Sequence, residues 1–91
     1  MTTTERQIQN WILKAIAAYE RAAQGNPMPD FMLRNSIREA HPGVSFTEVD
    51  VTGHIAVAEE NHFICGTTDP VDGKMWNLTP KGKNRVSLLT T

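Results

Sequence analysis

The sequence contains one cysteine, Cys65, and that alone excludes an internal disulfide. A lone thiol agrees with a reducing compartment. No apolar run approaches the roughly 18 residues of a membrane span, and the opening MTTTERQ has none of the hydrophobic stretch of a secretory signal. A soluble, cytoplasmic protein is expected, with no membrane among its partners. Repeats and low-complexity tracts are lacking, apart from short threonine runs at the two ends. The most informative absence is local: between residues 39 and 73 there is not one lysine or arginine.

That gap gives the net charge of −1 a strong internal polarity. Residues 1–38 carry five basic and three acidic side chains, a net +2. Residues 39–73 carry seven acids and stand at −7, whereas 74–91 carry Lys74, Lys81, Lys83 and Arg85 with no acid, a net +4. Such segregation bears on partners rather than on fold. At 91 residues and 40% hydrophobic content, the chain suits one globular domain with a single core.

Thr4 and Gln7 have capping-box spacing, and Ile8, Trp11, Ile12, Ala15, Ile16, Tyr19, Ala22 and Ala23 follow at three- and four-residue steps. The pattern predicts a helix over 4–24, stopped by GNPMP, with Trp11 and Tyr19 in the core. Asp30 caps a second helix over 30–41, with Leu33, Ile37 and Ala40 inward. The HPG turn follows. Ser45 and Glu48 then have the spacing of a capping box, and Val44 and Val49 that of a hydrophobic staple, so a third helix is expected over 45–61. If Val51, Ile55 and Ala58 face inward, Asp50, Gly53, His54 and Val57 lie at the surface. Gly53 in mid-helix costs about 1 kcal/mol relative to Ala, which close approach of another backbone would explain and sequence drift would explain equally. FICGT and KMWNLT flank TDPVDG as a hairpin over 62–79, with Pro70 at the first corner and Gly73 in a left-handed position. Thr79 and Pro80 then open a short helix over 80–89, with Val86 and Leu89 as its apolar stripe and Gly82 weakening it.

Helix, helix, tight turn, capped helix and hairpin resemble a winged helix-turn-helix domain of the small prokaryotic and phage type. HPGVSFTEV carries the resemblance as the turn into the third helix, and AEENHFICGTTDPVDGKMWNLTPKGK as helix end, wing and exit. The match covers roughly 28–85, with 4–24 as the first helix. One departure is His62, where such sequences commonly have glycine; Asn61 is then the candidate for the left-handed position. The resemblance implies an α+β, mainly helical domain over 1–91: three helices, a β-hairpin wing and a short C-terminal helix. It also implies a third helix directed at the major groove of double-stranded DNA, a wing on the flanking backbone, and a homodimer as a compatible state.

Charge sets two readings against each other. Phosphate attraction comes from Lys and Arg, and most base contacts from Arg, Lys, Asn and Gln. The third helix offers none of these before Asn61. A regulatory DNA-binding protein would therefore hold phosphates with Lys74, Lys81, Lys83 and Arg85, supported by Arg34 and Arg38. Thr47, Asp50 and His54 would be nearest the base edges. In the alternative the same fold is a protein-interaction module. Its acidic third helix docks on a basic protein surface through Phe46, Asp50, Gly53 and Val57, with Ala56 beside them.

Catalytic chemistry, cofactors and metals are not expected. His54, His62 and Cys65 do not make the two close ligand pairs of a zinc site. Asp69 and Asp72 fall short of the donor number calcium needs. Cys65 with a histidine lacks an orienting third group.

Overall fold

The computed structural model describes residues 5–40, 43, 46–71 and 73–89. Four helices and three strands follow in the order α1 (Glu5–Ala22), β1 (Met28–Pro29), α2 (Asp30–Ala40), α3 (Glu48–Glu60), β2 (Ile64–Asp69), β3 (Gly73–Leu78) and α4 (Pro80–Leu89). The sheet is antiparallel, with strand order β1-β3-β2. β1 was not expected from the sequence; at two residues it has no periodicity to read, and it forms because β3 lies alongside, pairing Met28 with Trp76.

One core joins every layer. Ile8, Ile12, Leu13 and Ile16 of α1 meet Leu33 and Ile37 of α2, and Val51, Ile55 and Ala58 of α3. Met28, Ile64, Trp76 and Leu78 close it from the sheet. The inward face of α3 is thus the expected one. The stripe on α1 is turned slightly from expectation. Leu13 is buried, whereas Trp11 is 36% exposed and Ala22 lies at the surface, because the packed face centres on the Ile8–Ile12–Ile16 row. Tyr19 is half-buried against the core.

The start of α3 differs from the sequence reading. Its N-cap is Thr47, whose hydroxyl accepts from Asp50 N (3.1 Å), while Asp50 Oδ2 accepts from Thr47 N (3.0 Å). This is a capping box two residues beyond the Ser45–Glu48 pair, and the helix begins at Glu48 instead of Ser45. The reason is charge: Glu48 is engaged by two guanidiniums of α2, bonds stronger than any it could make to a backbone amide. Shifting the cap makes Phe46 and Val51 the staple positions. Val51 is fully buried and Phe46 packs against the same core. Val49 is then 80% exposed. Thr4, Ser45, Val44, His41 and Pro42 of the sequence reading lie outside the described residues.

At its far end α3 closes in a Schellman motif. His62 N donates to Glu59 O (3.0 Å) and Phe63 N to Ala58 O (3.1 Å). Asn61 is the C-cap at φ −81°, and His62 itself takes the left-handed conformation at φ +62°. The expected role of Asn61 therefore passes to its neighbour, since the 6→1 bond from Phe63 places C′ at residue 62.

β2 and β3 pair from Ile64–Leu78 to Asp69–Gly73, and Gly73 has φ +79°, as the hairpin reading requires. Thr79 caps α4 by accepting from Gly82 N (3.0 Å). Gly82 is buried, and a Cβ there would run into the carbonyl oxygen of Phe63. What looked like a weak point in the last helix is where α4 lies against the chain leaving α3. Glu20 ties α1 to the sheet, its Oε1 accepting from Asn77 Nδ2 (3.0 Å) and Leu78 N (2.9 Å).

Candidate interaction surface on the third helix

Between α2, α3 and β3 runs a connected polar network. The indole N–H of buried Trp76 donates to Asp30 Oδ1 (2.8 Å), and Arg34 Nε donates to Asp30 Oδ2 (2.6 Å). Asp30 therefore serves as a tether between α2 and β3 in the first turn of its helix. Arg34 also reaches Glu48 Oε2 (3.3 Å) and Thr52 Oγ1 (3.0 Å), and Arg38 pairs with Glu48 Oε1. A carboxylate shared by two guanidiniums orients α3 on α2, and it turns both arginines toward the protein's own acids.

The other cations have internal contacts too. The Lys74 ammonium lies 5.0 Å from the centroid of Trp76, over Gly66, where a Cβ would stand 2.9 Å from the indole. Lys81 lies 4.9 Å from the Phe63 ring centroid and donates to Asn61 O (2.9 Å). Lys83 is exposed and Arg85 half-buried on α4. The structure brings Arg34 and Lys74 to one recess with Asp30 and Trp76 between them, while Arg38 pairs with Glu48 and Lys81, Lys83 and Arg85 lie on α4.

The residues expected to meet a partner also separate. Thr47 and Asp50 are occupied in the cap, and the Asp50 carboxyl is held below the usual carboxylate range. Its hydrogen bonds with the Thr47 backbone and side chain are the main cause, with nearby His54 adding to them. Phe46 packs on the core and meets His54 edge to face, with centroids 6.1 Å apart. Val57 is half-buried. Gly53 faces open space, with no atom within 4 Å of where a Cβ would stand.

Around Gly53 lies an open groove of about 380 Å³ lined by Glu48, Val49, Thr52, Gly53 and Ala56. It adjoins a recess of about 280 Å³ that shares Thr52 and Ala56 and reaches Asp30, Arg34, Glu59, Lys74 and Trp76. Val49 and Thr52 are the residues the sequence reading missed. Taking Thr47, not Ser45, as the N-cap would have placed Val49 outside, because residue 51 then becomes the staple partner. Exposed acids border the groove's C-terminal side, and among the described residues neither Glu59 nor Glu60 has an ion-pair partner.

Of the remaining polar candidates, Cys65 is exposed and reduced on β2, and Asp69 accepts from Val71 N (2.7 Å) within its turn. Asp72 lies outside the described residues. No described helix is long and apolar enough to cross a membrane. No protein-family model, curated protein or solved structure matches the chain.

Proposed function

We propose that this is a winged-helix protein-interaction module that docks on its partner through the outward face of α3. The order of helices around a β1-β3-β2 antiparallel sheet supports the fold part of that reading. The observation that carries the functional part is the stripe Val49, Thr52, Gly53 and Ala56. Its side chains are small and, Thr52 apart, apolar, and none of the four is a cation or a side-chain amide that could read a base edge. Arg38 is directed to Glu48, and Arg34, which reaches the stripe at Thr52 Oγ1, is shared with Asp30 and Glu48. A mid-helix glycine with no internal neighbour fits a helix face that something else approaches closely.

The test replaces Val49 with photoreactive benzoylphenylalanine and irradiates the protein in its host extract. Protein adducts that disappear when Gly53→Lys blocks the groove are the expected result. Adducts to nucleic acid would overturn the reading.

A second reading, DNA binding by the protein's margin, is favoured by Lys81, Lys83 and Arg85 on one helix in a segment without acid. Titration of random duplex DNA from about 50 to about 200 mM salt decides it. Binding with a steep salt slope, weakened across all sequences by Lys81→Ala with Lys83→Ala, would establish the margin as the DNA surface. Under the leading proposal the duplex does not bind at the low-salt end.

A further inference from the structure

The opposite charges of the middle and last segments emerge on two separate helices, each with an exposed apolar anchor. On α3 the outward stripe runs from Val49, 80% exposed, through Gly53 and Ala56 to the exposed Glu60. On α4 the buried side is Gly82, with Val86 against the core. Its outward arc presents Lys83, Asn84 and Ser87, with Leu88 at 66% exposure. One helix is thus acidic with an apolar residue at its N-terminal end. The other is basic with an apolar residue at its C-terminal end.

We propose that α4 of a second copy of this chain lies antiparallel along the α3 groove, so that copies join head to tail. In that alignment Leu88 of the incoming copy meets the Val49 end of the groove. Its Lys83 and Lys81 lie toward Glu60 and Glu59, and Asn84 and Ser87 pass over Gly53, where no Cβ holds the helices apart. The lengths agree. Val49 to Glu60 spans about 16 Å of helix, and Leu88 to Lys81 about 10 Å plus a lysine side chain of about 6 Å. The dipoles agree as well. Lys81 and Lys83 stand at or near the positive end of their own helix, and antiparallel docking brings them to the negative, acid-bearing end of α3. Pairing α3 antiparallel with α3 across a two-fold axis would instead set Glu59 and Glu60 of each copy beside the acidic first turn, Glu48 and Asp50, of the other, so the surface favours a different helix as its occupant. Because the two faces are not the same patch, the contact is heterologous. The proposal rests on α3 being a docking face and names what fills it.

Sedimentation velocity on the full chain, from about 10 µM to about 1 mM, reads the association directly. Mass above that of the monomer should grow with concentration at low salt and fall in about 1 M salt, where exposed charges are screened. Val49→Asp and Leu88→Asp each remove one face at an exposed position, so each variant alone should stay monomeric. Their equimolar mixture should form dimers and nothing larger, because each supplies the face the other lacks. Lys83→Glu should weaken association roughly tenfold. Combining it with Glu60→Lys in one chain should restore the contact. A wild-type chain that stays monomeric at about 1 mM, or a mixed pair that does not dimerise, overturns the proposal. If that happens while the photoadducts at position 49 to another protein persist, α3 remains a docking face and only the second copy is removed.

Discussion

Two helices of this protein carry an interior glycine, and the two stand in opposite surroundings. Gly82 in α4 is pressed against the carbonyl of Phe63, while Gly53 in α3 looks onto open space. Gly53, in mid-helix, weakens α3 by about 1 kcal/mol relative to Ala, and Gly82, in the first turn of α4, is likewise a poorer helix former than Ala. For Gly82 that loss is offset within the molecule: without a Cβ, α4 can lie on the backbone leaving α3 and bring Val86 to the core. For Gly53 no contact among the described residues offsets it. The first glycine belongs to the fold, and the second faces open space on the surface proposed for docking.

The sharpest way to break this contrast is Gly82→Ala. The added methyl meets backbone, not a flexible side-chain tip, so a loss of about 3 kcal/mol is expected in chemical denaturation. A neutral result would dissolve the difference between the two sites. Next in size is Asp30→Ala, which strips the Trp76 indole and Arg34 of their shared acceptor. It should cost about 2 kcal/mol, because a buried N–H is left unpaired. It also tests whether the inner margin of α3 is held by the network that keeps Arg34 in place.

Gly53→Ala runs the other way. It should raise stability by up to about 1 kcal/mol, with no internal clash. It should also weaken whatever association the groove supports. A variant that is both more stable and undiminished in binding would leave the open glycine without a role.

The smallest effect concerns the cap at the head of the groove. Asp50 has a lowered carboxyl pKa in the folded protein, so its contribution to stability is complete above the ordinary carboxylate value. It is lost as pH falls through the lowered folded value. Acid unfolding of Asp50→Asn should therefore show a shallower pH dependence in that range than the wild type. Identical profiles would remove the cap from the account of α3.

Much of the fold was legible because it follows from neighbours in the chain. Thr79 with Pro80 starts α4, Gly73 turns the hairpin, and the spacing of Val51, Ile55 and Ala58 chooses the inner face of α3. The site was less legible. Of the candidates named for it, Gly53 and Ala56 line the groove, while Thr47 and Asp50 form the cap and Phe46 turns to the core. Arg34 and Arg38 appear in the sequence as free positive charge, yet their partner Glu48 is reached only once α2 and α3 cross.

Sequence alone determined the order of the helices and the hairpin, the buried face of α3 and the separation of acid from base, since these depend on residues a few positions apart or on simple composition. Tertiary structure decided where α3 begins, which cations keep a solvent-facing charge, that Met28–Pro29 becomes a strand, and which glycine is indispensable. Each of those turns on groups far apart in the chain being brought within bonding distance, and no local pattern encodes that meeting.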